Sequence, residues 1–311
     1  MGPIGYVYES GLQNPLWKWE IVVYFFVAGI AVGTYLFAAF GQLWGSRLDR
    51  QHSISGYYFA MPMMMISGLM LILDLSVPDK FSKFLHMMWN PREGMLTFKA
   101  ESVMSLGSWV IMLFSIIATI SFAYALIKHR QWEDRVPFAR WLVGLHEGRV
   151  KGLFLGIGIL SAAYIGTYTG ILLSTTHWPV WSTSSLIPLL FLISGVSTGL
   201  AAMVLSLSKR LEQEQTKGYI HRLEKADTYI MVGEIVILAV FLISLGPWAS
   251  VLLSGSNAFL LIGGVVVAGL LVPLYLRYRP VLGEKNSLIL SSSLILFGGL
   301  ILRYIMVVGV Q

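Results

Sequence analysis

The sequence predicts an all-α polytopic membrane protein: eight transmembrane helices in one bundle, with both termini outside. Three observations carry this. Of the 311 residues, 56% are hydrophobic and 12% are charged, whereas a soluble domain carries about 25% charged residues. Nearly charge-free apolar runs recur along the chain, each long enough to cross about 30 Å of hydrocarbon at about 1.5 Å per residue. Basic residues fall on alternate loops. The whole of 1–311 reads as a single integral membrane domain.

The spans are expected at 20–44, 56–76, 102–127, 152–173, 186–207, 229–248, 258–276 and 287–307. The first ends before Arg47 and Arg50. The second leads into a long loop that starts after Asp74. The third runs from Ser102 to Ile127, before Lys128, and the fourth begins just after Lys151. The fifth stops before Lys209 and Arg210. The sixth ends at Gly246-Pro247, the seventh at Arg277, and the eighth follows Lys285. Loops after the odd-numbered spans hold 16 Lys and Arg residues. The opposite side holds 5: Lys18, Lys80, Lys83, Arg92 and Lys99. Lys and Arg favour the cytoplasmic side, so the 16:5 split places both termini outside. The net charge of +6 reflects this topology rather than nucleic-acid binding. Glycines four apart, at Gly29 and Gly33, Gly152 and Gly156, Gly166 and Gly170, and Gly195 and Gly199, signal close helix packing.

Several chemistries are excluded by composition. The chain has no cysteine, so it forms no disulfide and ligates no iron–sulfur cluster through Cys. His52, His86, His129, His146, His177 and His221 all lie in loops or at span ends. No pair sits at mid-membrane depth, so no b-type haem is expected. There is no Walker glycine loop and no HExxH motif. The N-terminal MGPIGYVYESG lacks the pattern of a cleaved signal peptide.

What remains is a set of polar residues in or near lipid: Glu20, Asp74, Glu101, Asp227, Glu234 and Arg303. A charge at the bilayer centre costs about 2.5–3.5 kcal/mol on insertion scales. Glu234, Asp227 and Arg303 read as a proton path or ion site. The competing reading is a buried carboxyl, neutral or paired with Arg303 or a tyrosine, that only fixes packing. The residues alone leave both open. A second group converges near the outer surface. Glu20 and Tyr24 share one face of span one, and Tyr164 and Tyr168 share one face of span four. Asp74 ends span two at the same level. Trp17, Trp19, Trp178 and Trp181 would be interfacial anchors there. An apolar pocket with a few hydrogen-bonding side chains suits a quinone, which has an apolar ring and tail and two carbonyls.

The segments WEIVVYFFVAGIAVGTYLFAA (19–39), LDLSVPDKFSKFLHMMWNPREGMLTFKAESVMSLGSW (73–109), YIGTYTGILLSTTHWPVW (164–181), IPLLFLISG (187–195) and LFGGLILRYIMVVGVQ (296–311) resemble the NrfD/PsrC family. These are membrane subunits of polysulfide-reductase-type molybdopterin oxidoreductases. The Asp-Leu-x-x-Pro end of span two and the Gly-Gly-x-x-x-Arg end of span eight are the most specific elements. The resemblance covers nearly the whole chain. It implies a quinone-reactive anchor in a prokaryotic inner membrane, with quinone as exchangeable substrate and no haem or iron–sulfur cluster of its own. It also implies a four-cluster iron–sulfur partner and a molybdopterin catalytic subunit in anaerobic respiration. It puts the quinone at the ends of helices one and four, with the family tyrosine at Tyr168. The family's Asn and His fall at or beside Glu20 and Tyr24, where this sequence departs. The long loop between spans two and three would then be a docking surface. Pro78 and Pro91 would stiffen it, and Phe81, Phe84, Leu85, Met88 and Trp89 alternate there with charges. Two other readings of the residues remain: a secondary transporter using Glu234 and Arg303, and a passive anchor without quinone chemistry.

The basic asymmetry generates a direct test. A reporter fused after Gln311 should be active only as an external type. Cytoplasmic activity at that fusion point would reverse every assignment of sides.

Overall fold

A helix in hydrocarbon satisfies its own backbone hydrogen bonds, so the fold is decided by how helices come to touch one another. A computed structural model of the chain describes residues 17–75, 80–90, 94–134, 137–176 and 178–311, with Lys83 described by its backbone alone. Among these residues, eight helices are long and apolar enough to cross a membrane. The chain is a multi-pass membrane protein.

The first span is α1 (Trp19–Trp44). A capping box between Ser46 and Asp49 starts α2 (Arg47–Ser53), which turns into α3 (Tyr57–Asp74). The long connection carries α4 (Lys80–Leu85) and a two-stranded antiparallel hairpin, β1 (Trp89–Asn90) and β2 (Met95–Leu96). Pro78, Asp79, Pro91, Arg92 and Glu93 lie outside the described residues. α5 (Val103–Arg130) follows, then α6 (Ala139–Glu147), α7 (Lys151–Ser174) and α8 (Pro179–Ser182). α9 (Ile187–Leu207) and α10 (Glu214–Ser244) come next. α11 (Ala249–Leu252) and α12 (Gly255–Ala258) lead into the seventh span. It has a π-helical stretch, Phe259–Leu271, before α13 (Val272–Tyr278). α14 (Glu284–Tyr304) closes the bundle and widens into a π-helical turn, Ile305–Gly309.

Eight crossings put Trp17 and Gln311 on one side of the bundle. Gln311 clasps the first described residue: Trp17 N–H donates to its Oε1 at 2.8 Å, and its Nε2 donates to the Trp17 carbonyl at 2.9 Å. The loops at the other side carry the concentration of Lys and Arg, so that side is the basic end.

α1 is the hub. Its apolar window is 83% buried, and α3, α7, α9 and α14 all pack on it. The α1–α9 contact is backbone on backbone. A Cβ at Gly29 would lie 3.1 Å from Gly195 Cα, and one at Gly199 would lie 2.6 Å from the Gly33 carbonyl carbon. Gly166 and Gly170 likewise admit Leu192 and Pro188 of α9 against α7. Gly152 and Gly156 do not follow. Nothing lies within 4 Å of a Cβ at either, so that pair has the packing spacing without the packing.

Two other expectations change. The sixth span begins at Glu214, not near 229, because the polar stretch before the apolar run continues the same helix. Glu234 is therefore twenty residues, about 30 Å along the axis, from the start of its helix at the basic end. Trp181 is not an interfacial anchor. It is 1% exposed, stacks on Trp17 at 5.4 Å, and donates its indole N–H to the Met306 carbonyl at 2.6 Å.

At the basic end α6 tucks between α5 and α7 through His146, which is fully buried. Its Nδ1 faces the Leu142 carbonyl at 3.1 Å and so carries the proton, leaving Nε2 to accept from Ser121 Oγ at 3.0 Å. The Tyr124 ring stacks on it at 4.1 Å. Burial pulls its pKa down to about 4, so the imidazole is a neutral packing group at ordinary pH.

The α1–α9 crossing predicts an asymmetric response to one added methyl. Gly199→Ala meets backbone that cannot swing aside and should destabilise by about 1–3 kcal/mol, the usual range for overpacking. Gly156→Ala faces open space and should be neutral or gain up to about 1 kcal/mol of helix propensity. Unfolding midpoints in mixed detergent would compare them. Equal midpoints would refute the close crossing.

Candidate functional site

Two polar clusters lie inside this apolar bundle. The first is at the end opposite the basic loops, where α1, α3, α5 and α7 meet. One turn of α1 presents Glu20 and Tyr24. Tyr24 is buried and lies near Tyr168 of α7. Tyr168 stacks on Tyr164 one turn away, with ring centroids 5.9 Å apart and planes at 18°. α5 supplies a seat for it: a Cβ at Gly107 would overlap the Tyr168 phenol. Asp74, at the end of α3, feels the charges of Glu20, Lys18 and Lys80. Lys80 Nζ also donates to the Leu73 carbonyl at 2.6 Å, capping the end of α3. The Glu20 Oε2 and Tyr24 hydroxyl are buried with no partner among the described residues. Two carboxyls and three phenols thus converge, and a ligand polar group would satisfy the Glu20 and Tyr24 oxygens. Glu101 is exposed in the turn before α5 and stands apart from this cluster.

The second cluster runs through the interior between α9, α10, α13 and α14. Arg303 is 1% exposed. It donates from Nη1 to Ser194 Oγ at 2.5 Å and from Nη2 to the Phe191 carbonyl at 3.0 Å, with its guanidinium 4.9 Å from the Phe191 ring centroid. The Ser194 hydroxyl also faces Glu234. Glu234, Ser194 and Ser197 border a small cavity of about 10 Å³, close to the minimum that holds one water. Ser197 in turn faces Asp227. Asp227 is fully buried and accepts from Arg277 Nη2 at 2.6 Å. Arg277 Nη1 donates to the Glu224 carbonyl at 3.2 Å, and its Nε lies 3.9 Å from Glu224 Oε1. Glu224 and Arg277 line a pocket of about 650 Å³ that opens at the basic end.

Asp227, Glu234 and Arg303 therefore share one polar line, with Ser194 and Ser197 as links. The longer α10 carries Asp227 inside the bundle, and its partner Arg277 is a cation of α13 whose side chain is buried. The sequence signal for this was available. Glu224 and Asp227 stand three apart on one helical face, and Arg277 lies at the end of the span packed beside them. The Gly-Gly-x-x-x-Arg motif also gains a physical reason. Gly298 lies against Gly269 and Gly299 against the Thr198 side chain, so α14 comes close enough to two helices for Arg303 to reach Ser194 and Phe191.

The two clusters are separated by aromatic rings. Phe191, under Arg303, packs edge-on to Phe25 at 5.7 Å, and Phe25 packs on Tyr24 at 5.1 Å. Among the described residues, no hydrogen bond bridges this wall.

Comparison with known proteins places the chain. A family model described as "Polysulphide reductase, NrfD" matches residues 9–311. The NrfD homolog of Haemophilus influenzae is 27% identical, covering 94% of this chain and 93% of that one. NrfD of Escherichia coli is 27% identical over 75% of this chain and 72% of its own. The polysulfide reductase C subunit of Wolinella succinogenes is 28% identical over 93% of this chain and 92% of its own. A match over nearly the full length, on an eight-span bundle whose final helix carries the buried arginine, has one reading: the chain belongs to the NrfD family.

Proposed function

We propose that this chain is the quinone-reactive membrane subunit of a respiratory oxidoreductase complex in a prokaryotic inner membrane, with the quinone bound at the Glu20–Tyr24–Asp74–Tyr164–Tyr168 cluster. The observation that carries this is the convergence of carboxyls and phenols from α1, α3 and α7 at one end of the bundle, with Glu20 Oε2 and the Tyr24 hydroxyl buried and unpartnered among the described residues. Unsatisfied buried polar groups cost about 1–3 kcal/mol each, and a quinone carbonyl or quinol hydroxyl would offset that cost. Family membership supports the coarser statement, a membrane subunit of an oxidoreductase complex.

A quinol gives up two electrons and two protons. The phenols of Tyr24 and Tyr168 hold the oxygen atoms by hydrogen bonds, and the Glu20 and Asp74 carboxyls exchange the protons with water at the surface. The electrons pass to a partner, for which an iron–sulfur subunit joined to a molybdopterin catalytic subunit is the reading the family supports. Quinone reduction uses the same parts in reverse. The partner would dock over the connection between α3 and α5, where Phe81, Leu85, Met95, Leu96 and Phe98 stand exposed. Exposed apolar side chains gathered on one loop mark an interaction surface.

The buried line from Arg277 and Asp227 through Glu234 to Arg303 supports a proton path alongside this chemistry, entered from the 650 Å³ pocket. It stops at the Phe25–Phe191 wall, so coupling to the quinone would act through movement or bound water rather than a standing hydrogen bond.

Two measurements test these readings. Tyr168→Phe removes one hydrogen bond, about 0.5–1.5 kcal/mol, and should slow quinone turnover roughly two- to ten-fold while the complex still assembles. Unchanged quinone kinetics in both Tyr168→Phe and Glu20→Gln would remove the site from this cluster. For the path, Glu234→Gln in proteoliposomes should lower the charge moved per electron and spare quinone activity in detergent. Equal charge per electron in mutant and wild type would make Glu234 a packing group.

A further inference from the structure

At the basic end a separate pocket of about 380 Å³ opens between α2, the last turns of α5 and the turn that follows α9. Its polar lining includes His52, Lys128, His129 and Arg210, and among the described residues no carboxylate lines it. A basic loop region alone does not produce this, because the same end of the bundle is rich in acids. Those acids are already paired. Asp49 is held by Arg222. Glu133 and Glu147 lie 2.7 and 2.9 Å from Lys128 Nζ and neutralise it. Arg210 and His129 make no ion pair among the described residues. His52 feels the charge of Asp49 first, then those of Arg210 and Arg222, and Asp49 is itself committed to Arg222. His52 is stacked on Tyr219 at 5.5 Å, and its Nε2 is buried without a partner among the described residues.

Arg210 and His129, with no ion-pair partner among the described residues, and the unpartnered His52 Nε2 thus surround one cavity. Its floor is of a different character. Ile54, Ala125 and Leu207 line it, and the Ala125 carbonyl is capped by the Tyr58 hydroxyl at 2.7 Å. Ala125 lies five residues before the end of α5, so this floor reaches about 7 Å toward the membrane interior. A free phosphate would use the cations and leave the apolar floor unused. A phospholipid would use both, its phosphate at the rim and its glycerol and upper chain along the floor. Basic pockets between transmembrane helices at this level take anionic headgroups.

We propose that this pocket binds the phosphate headgroup of an anionic phospholipid from the leaflet at the basic end of the bundle. Such a lipid would tie the ends of α3, α5 and α9 together beside the capped turn at α2. The proposal does not depend on the quinone reading.

The test uses the full chain in nanodiscs of mixed phosphatidylglycerol and phosphatidylcholine, followed by release into detergent and native mass spectrometry. Wild type should retain phosphatidylglycerol in preference to phosphatidylcholine. Arg210→Gln with His129→Gln should lower that retention at least about five-fold, the effect of one basic residue near the surface. Gln213→Glu, which sets a carboxylate at the exposed rim, should lower it as well and keeps the test valid if the double variant is unstable. Arg140→Gln with Arg149→Gln, which removes two basic-end charges away from the pocket, should retain lipid as wild type does. Equal loss in that control would reduce the effect to general surface charge and overturn the proposal. Displacement of the lipid by excess inorganic phosphate, with no preference between the two lipids, would overturn it in favour of a free-anion site.

Discussion

The bundle depends on one contact, the backbone crossing of α1 and α9 at Gly29–Gly195 and Gly33–Gly199. Lipid offers helices no hydrophobic reason to associate, so close van der Waals approach has to supply it. Glycine makes the approach possible, and α1 gains a position from which it touches α3, α7, α9 and α14. The same crossing makes room for chemistry. A Cβ at Gly29 would lie 3.5 Å from Arg303 Nη2, so a larger residue there would crowd the buried guanidinium. Packing and electrostatics are therefore one problem in this protein, and small residues answer it twice, again at Gly269–Gly298.

Charge placement follows from that architecture. A guanidinium or carboxylate in hydrocarbon persists only where it is paired, hydrated or hydrogen-bonded. Arg303 has Ser194, the Phe191 carbonyl and a nearby Glu234. Asp227 has Arg277. Each group has a partner on a different helix, so the polar line also fixes the relative positions of α9, α10, α13 and α14. A role in packing and a role in moving protons use the same atoms, and a titration-dead but isosteric residue at Glu234 separates them. The aromatic wall at Phe25 and Phe191 keeps this line apart from the phenols around Tyr24 and Tyr168, so each cluster has its own surface: the basic end for one, the opposite end for the other.

Much of this is legible in the sequence. The eight spans show because charged residues bound apolar runs. Glu20 with Tyr24, and Tyr164 with Tyr168, show because residues four apart share a helical face. Their meeting follows from topology alone, since all four sit near one membrane surface. Other features are hidden for physical reasons. The start of α10 escapes because hydropathy detects lipid contact, not helix, and 214–228 is helical but polar. The Asp227–Arg277 pair joins residues 50 apart on different helices, and a cation at a span end reads as a loop cation. Residue type assigns Trp181 to the interface, but α8 folds back over the bundle and buries it. Gly152 and Gly156 share the spacing of Gly195 and Gly199, and spacing cannot tell which face meets a neighbour. Gly107 carries no motif, although it seats Tyr168.

The central claim is a quinone lying against the ends of α1 and α7. Photolabelling the assembled complex with an azido-quinone tests this most directly, with the adduct mapped by peptide mass spectrometry and competed by unlabelled quinone. Competed label is expected on peptides holding Glu20 and Tyr24 or Tyr164 and Tyr168. Competed label confined to peptides holding Glu234 or Arg303, or no competed label on this chain, would contradict it.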